Sequence, residues 1–159
     1  MDPITVLTAI GTVLKIVDGI EKQVDHFFAK RPESSTEEPH KVLATQESSG
    51  TIVVKEKGHV IDTITAQDIE NLDENSRKLI KALEESMQQN FNLWTKVYPQ
   101  RDVSPDPLRN AQVETQLAGI AKKMGDDLDK IFRYLDQIGK HLEDHYGHIR
   151  AILRETGGT

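Results

Sequence analysis

Residues Asp2 to Phe28, DPITVLTAIGTVLKIVDGIEKQVDHFF, decide the architecture. Asp2 stands where a side chain caps a helix, and Pro3 takes the first helical position, where its missing N–H costs nothing. A helix is predicted over 3–30. Val6, Ile10, Val13, Val17, Ile20, Val24 and Phe27 recur at alternating steps of about four and three residues, which draws one apolar stripe. Ile4, Leu7, Ala9, Leu14 and Ile16 lie off that stripe, so the first turns are apolar nearly all round. Such a surface has to be buried on more than one side.

With 159 residues the chain is long enough for one domain and short for two. A charged fraction of 29%, a hydrophobic fraction of 36% and a net charge of -6 fit a soluble, acidic, helical protein. Nucleic acid is not an expected partner, because Lys and Arg are interspersed with acids and form no basic face. With no cysteine, disulfides and thiolate metal sites are excluded, and a reducing cytoplasm suits the chain. No basic stretch precedes the N-terminal apolar run and no small-residue cleavage site follows it, so it is not expected to be a secretory signal. The uncharged run from Pro3 to Leu14 is about twelve residues, against the roughly twenty that span a bilayer. Helix one is therefore expected to enter a membrane only conditionally, within an oligomer or after release from a bundle.

After Phe28 the periodicity stops, and residues 31–50, rich in Ser, Thr, Glu and Pro, read as a flexible loop. Two β-branched runs follow, Thr51–Val54 and Val60–Ile64, separated by Lys55-Glu56-Lys57-Gly58-His59. Residues 51–65 are thus expected to form a two-stranded hairpin, with Gly58 supplying the left-handed residue of its turn. Its edge is either a site for a partner strand or a connector packed on the helices. Helical sequence resumes over 66–98, with possible starts at Thr65, backed by Asp68, and at Asp73. Leu79, Ile80, Leu83, Met87, Phe91, Trp94 and Tyr98 form its stripe, and Pro99 ends it. Trp94 and Tyr98 are expected to close the core at that end.

Asp106-Pro107 repeats the device of Asp2-Pro3 and starts another helix. Leu117, Ala121, Met124, Leu128, Ile131, Leu135, Ile138, Leu142, His145, Ile149 and Ile152 keep a heptad rhythm over 107–155. This is either one long helix or a pair. Gly125, followed by Asp126 as a fresh cap, is the best breaking point by local chemistry, while the unbroken heptad opposes a reversal there. The expected fold is all-α: a bundle of three to four long helices with a small β-hairpin between the first and second.

His141, His145 and His148, at steps of four and three, would share one face of a continuous last helix, which is permissible metal-ligand spacing. His145 also lies on the core stripe, which favours a packed or interfacial histidine over a ligand. Asp126, Asp127 and Asp129 read as a charge cluster at a helix start, and Glu84-Glu85 as a solvated face. There is no Glu-x-x-His pair, Gly-rich phosphate loop or nucleophile arrangement, so neither an enzyme nor a cofactor is expected.

The opening MDPITVLTAIGTVLKIVDGI resembles the HeLo and HeLo-like domains at the head of fungal NLR-type immune receptors, and the bacterial Bell domain. In these, Met-Asp-Pro leads into a hydrophobic helix containing Gly and Ala. The resemblance covers about the first twenty residues. It implies a helical-bundle executioner of programmed cell death in an innate-immune setting, soluble and cytoplasmic at rest. On activation by an NLR-like receptor it would form a homo-oligomer at the inner face of the plasma membrane and permeabilise it, with membrane lipids as its partner. Ile4, Leu7, Ile10, Val13, Leu14 and Val17 would then insert, and Gly11, Gly19 and Trp94 would serve packing or oligomer contacts. The hairpin departs from that family's pattern, and no amyloid signalling motif follows Thr159. The alternative is a non-enzymatic helical adaptor or oligomerisation module in signalling, with helix one as its core.

Overall fold

The computed structural model describes residues 1–28 and 42–157, with the side chains of residues 26–28, Phe27 of the stripe among them, outside the description. The chain is mainly helical. In order, it forms α1 (Pro3–Phe28), β1 (Val42–Gln46), β2 (Ile52–Glu56), β3 (His59–Ile64), α2 (Ala66–Glu70), α3 (Glu74–Val97), α4 (Pro107–Gln137) and α5 (Gly147–Thr156). Short 3-10 turns follow α3 at Tyr98–Gln100 and precede α5 at Glu143–Tyr146. α3 packs on both α1 and α4, and α5 packs back along α4. α1 is enclosed by α3, α2, α5 and the sheet.

The caps follow from local chemistry. Asp2 accepts the Ile4 N–H (3.3 Å), Asp73 accepts that of Ser76 (2.6 Å) and Asp106 accepts that of Leu108 (3.0 Å). Thr65 and Asp68 form a full capping box. Because Thr65 and Asp73 both start helices, the single helix expected over 66–98 is two, α2 and α3.

The expected hairpin is present as β2 and β3, antiparallel, with Ile52 opposite Ile64 and a register shift at Val54/Lys55. Lys57 (φ 53°) and Gly58 (φ 81°) both take left-handed conformations, as a two-residue primed turn requires. A third strand, β1, pairs antiparallel with β2 and gives the order β1-β2-β3. This corrects the loop expected over 31–50: its first part, through residue 41, lies outside the described residues, and from Val42 the chain is a strand. Val42-Leu43-Ala44-Thr45-Gln46 alternates in burial, and Ser48-Ser49-Gly50 makes the turn that follows, with Gly50 at φ 94°.

The long C-terminal helix also breaks, but at Gly139 and not at Gly125. Lys140 N–H bonds to the Leu135 carbonyl (2.9 Å) and Gly139 N–H to that of Asp136 (3.0 Å), with Gly139 at φ 79°. That pair of bonds is a Schellman stop, and it needs a residue free to turn left-handed. Gly125 remains helical and faces Leu153 of α5. The heptad persists through the reversal because Leu142 and Ile149, with Ile152 partly buried, return to the same core.

The two glycines therefore carry opposite predictions in urea unfolding. Gly139→Ala forces an L-residue into the left-handed region and lowers stability by about 1–2 kcal/mol. Gly125→Ala adds a methyl at ordinary contact distance in a helix interior and raises stability by up to about 1 kcal/mol.

Candidate functional site

The residues singled out on α1 are brought together in the middle of the fold. Leu7, Ile10, Val13 and Val17 are 0% exposed and Leu14 2%, whereas Ile4, at 42%, stands at the edge. Off-stripe Ala9 and Ile16 are buried as well. The helix is thus wrapped around most of its circumference, as its apolar surface demands. At its head, Arg77 of α3 donates to the Met1 carbonyl (3.4 Å) and to the carbonyls of Ile69 (3.3 Å) and Glu70 (3.0 Å), and Glu74 pairs with the terminal amine.

The sheet supplies the cover over the first turns. A Cβ at Gly50 would lie 3.1 Å from Ile4 Cδ1 and 3.7 Å from Leu7 Cδ1, so the β1–β2 turn sits directly on these side chains. Ile52 Cδ1 and the Gln46 amide lie over Gly11 at ordinary contact distance from where its Cβ would be. Gln46 Nε2 also donates to Thr8 Oγ1 (3.2 Å) and to the Gly50 carbonyl (3.1 Å), tying strand, turn and helix together.

The second half of α1 meets α3 and the start of α5. Gly19 admits the edge of Phe91, which would stand 2.9 Å from an added Cβ. Tyr146 is buried, and burial first, then Asp18 and Glu21, pushes its phenol well above its ordinary range. Its hydroxyl, Asp18 Oδ1 and Gln23 Oε1 are shut from solvent without a hydrogen-bond partner, although Asp18 Oδ2 pairs with Lys22 (3.0 Å). Trp94 is fully buried and stacks on Tyr98 at 4.8 Å, closing the core at the end of α3 as expected.

Two expectations about carboxylates change. Asp127 is fully buried, not part of a helix start, because α4 runs straight through it. Its Oδ2 accepts from Ser86 of α3 (2.6 Å) and its Oδ1 lies 3.1 Å from Lys123 Nζ. Glu84 is not a solvated group either: at 3% exposure, it is held by Lys81 (2.8 Å) and Gln88 (2.8 Å).

The histidines do not share a helix face, because the helix stops at Gly139, before all three, and they fall in three different elements. His141 lies in the connector and bonds to Asp136 (2.9 Å), His145 lies in the 3-10 turn and bonds to Glu56 of β2 (2.7 Å), and His148 is exposed on α5. Among the described residues no three His, Asp or Glu side chains are placed to hold a metal ion. Sequence reasoning missed the group that the connector does present. Lys140, next to Gly139, lies 3.4 Å from both Asp62 of β3 and Asp68 of α2. A lysine after a helix-stopping glycine is a faint signal, and nothing local names its partners.

Burial alone would raise the Asp68 carboxyl. The Thr65 N–H and hydroxyl, together with Lys140, outweigh that effect and hold it below its ordinary value of 3.8. A depressed acid contributes stability that is present above its unfolded pKa and is lost as pH falls through its folded pKa. Asp68→Asn should therefore be less stable than wild type at pH 7, and the gap should close as the pH is lowered through the acid range in thermal melts. In comparisons with known proteins, no family model, no curated protein and no solved structure matches this chain.

Proposed function

We propose that the chain is a membrane-targeting executioner domain held in its resting state: a helical bundle that hides α1, oligomerises when triggered and permeabilises a membrane with that helix. The observation that carries the reading is α1 itself. Over Pro3–Asp25, a stretch of 23 residues, it is long and apolar enough to cross a bilayer by length and composition. The sequence reading takes Lys15, Asp18, Glu21 and Lys22 as interruptions, which leaves an uncharged run of about twelve residues. The helix runs on through Lys15, Asp18, Glu21, Lys22 and Asp25, and 23 residues at 1.5 Å each reach about 34 Å against a hydrocarbon core of about 30 Å.

Magnitudes say how such a helix could leave. Val6, Leu7, Ile10, Val13, Leu14, Ile16, Val17, Ile20 and Val24 are all buried. Exposing them to water would cost on the order of 20 kcal/mol, above the whole stability of an ordinary domain at about 5–15 kcal/mol. Release into water is therefore closed. Transfer into lipid is close to neutral for the same side chains, since acyl chains are as apolar as a protein core. The unpartnered polar atoms of Asp18, Gln23 and Tyr146 make the resting interface less favourable than an apolar one would be. The faces that α1 vacates on α3 and the sheet would need new apolar cover, which other copies of the chain supply. Activation would thus couple oligomerisation to insertion, beneath a receptor of the NLR-like kind.

A second reading has its own support. The closed packing of Leu7, Ile10, Val13 and Val17 is also what the permanent core helix of a signalling adaptor would show.

The two readings separate on cysteines at Thr8 and Gln46, whose side chains already touch, joined by a short cleavable cross-linker. The chain has no other cysteine to interfere. The protein, fused to an inducible dimeriser, is added to dye-loaded vesicles of phosphatidylcholine and phosphatidylglycerol. The executioner reading expects leakage without the cross-link, none with it, and recovery on cleavage. Equal leakage with the cross-link intact, or none from the uncross-linked oligomer, refutes it.

A further inference from the structure

We infer that Lys140 is the clasp of an autoinhibitory contact: by bridging Asp62 of β3 and Asp68 of α2 from the α4–α5 connector, it holds the sheet down over the first turns of α1. This rests on the proposed function in taking exposure of those turns as the activating step.

The sheet is fastened at two sides. Its β1 side, with the β1–β2 turn, lies on α1 through apolar contact. Its other side is fastened by polar contacts from the segment between α4 and α5, an ion pair from Lys140 and a hydrogen bond from His145. Lys140 Nζ lies 3.4 Å from Asp62 Oδ1 and 3.4 Å from Asp68 Oδ2, with its side chain 18% exposed. His145 Nδ1 lies 2.7 Å from Glu56 Oε2 at the end of β2. The Schellman stop at Gly139 fixes where the Lys140 side chain starts, within reach of both carboxylates.

The chemistry of the clasp is conditional where that of the core is not. An apolar contact holds under any charge state. An ammonium shared by two carboxylates fails when either acid is neutralised, or when another anion competes for it. A partly buried bridge of this kind is worth more than an exposed surface pair. It is still far weaker than the burial of α1, so its loss should open the sheet locally and leave the helices folded.

Hydrogen exchange on the full chain tests this without a membrane, in Lys140→Met, Asp62→Asn and the double variant. Asn at 62 keeps the Oδ1 acceptor used by the Thr63 N–H. Lys140→Met should speed exchange of the amides of β2, β3 and residues 4–10 by about tenfold. Asp62→Asn should speed it by less because the Asp68 contact remains, α4 should be unchanged in both, and the double should match Lys140→Met because it removes nothing further. Exchange that stays at wild-type rates, rises equally in α4, or adds up in the double variant overturns the clasp. Such a failure would leave the proposed function standing. A variant that opens but, once dimerised, releases no vesicle dye would count against the membrane reading and not against the clasp.

Discussion

Burial of α1 is the constraint on which the other elements depend. A helix with one apolar stripe needs one neighbour, whereas a helix apolar around its first four turns needs neighbours on several sides. α3 takes one side, α2 and α5 take others, and the remaining surface over Leu7 and Gly11 is left to the sheet. A three-stranded sheet this small would not stand alone in water. It is stable here because Val42, Ile52, Val54 and Ile64 turn inward and share their burial with α1. Helix and sheet each solve the other's problem.

Buried polar groups lie on both sides of that arrangement. Between α3 and α4 the buried acids Asp127 and Glu84 are matched, by Ser86 and Lys123 and by Lys81 and Gln88. Around α1, Asp18 Oδ1, Gln23 Oε1 and the Tyr146 hydroxyl are unpartnered. Trp94 Nε1 on α3 is unpartnered as well, and Asp127 Oδ1 has only its ion pair with Lys123, so buried polar atoms go unmatched on both sides of the core.

What could be read from the residues follows the range of the interactions concerned. Asp2-Pro3, Asp73 and Asp106-Pro107 act on amides two or three residues away, so their helix starts are legible. So is the β2–β3 turn, where Gly58 supplies its own conformation. β1 was hidden because five residues beside a Ser- and Glu-rich segment carry too short an alternation to outweigh that composition. The stop at Gly139 was hidden for a different reason: α5 folds back on the core that α4 serves, so buried residues recur as though the helix continued. The histidine face failed with it. The clasp lay beyond reach, because Lys140 meets Asp62 across 78 residues and His145 meets Glu56 across 89. Such contacts exist only once the chain has reversed.

The central claim is that the first turns of α1 are enclosed at rest and pass into lipid on activation. The most direct measurement places an environment-sensitive fluorophore on a cysteine at Thr5, which is exposed on the first turn and so tolerates a label. Emission is followed with phosphatidylcholine and phosphatidylglycerol vesicles carrying an acyl-chain quencher, before and after induced oligomerisation. The account predicts an aqueous, unquenched signal from the resting protein and a brightened, strongly quenched one from the oligomer. An oligomer whose probe stays aqueous and unquenched would contradict it.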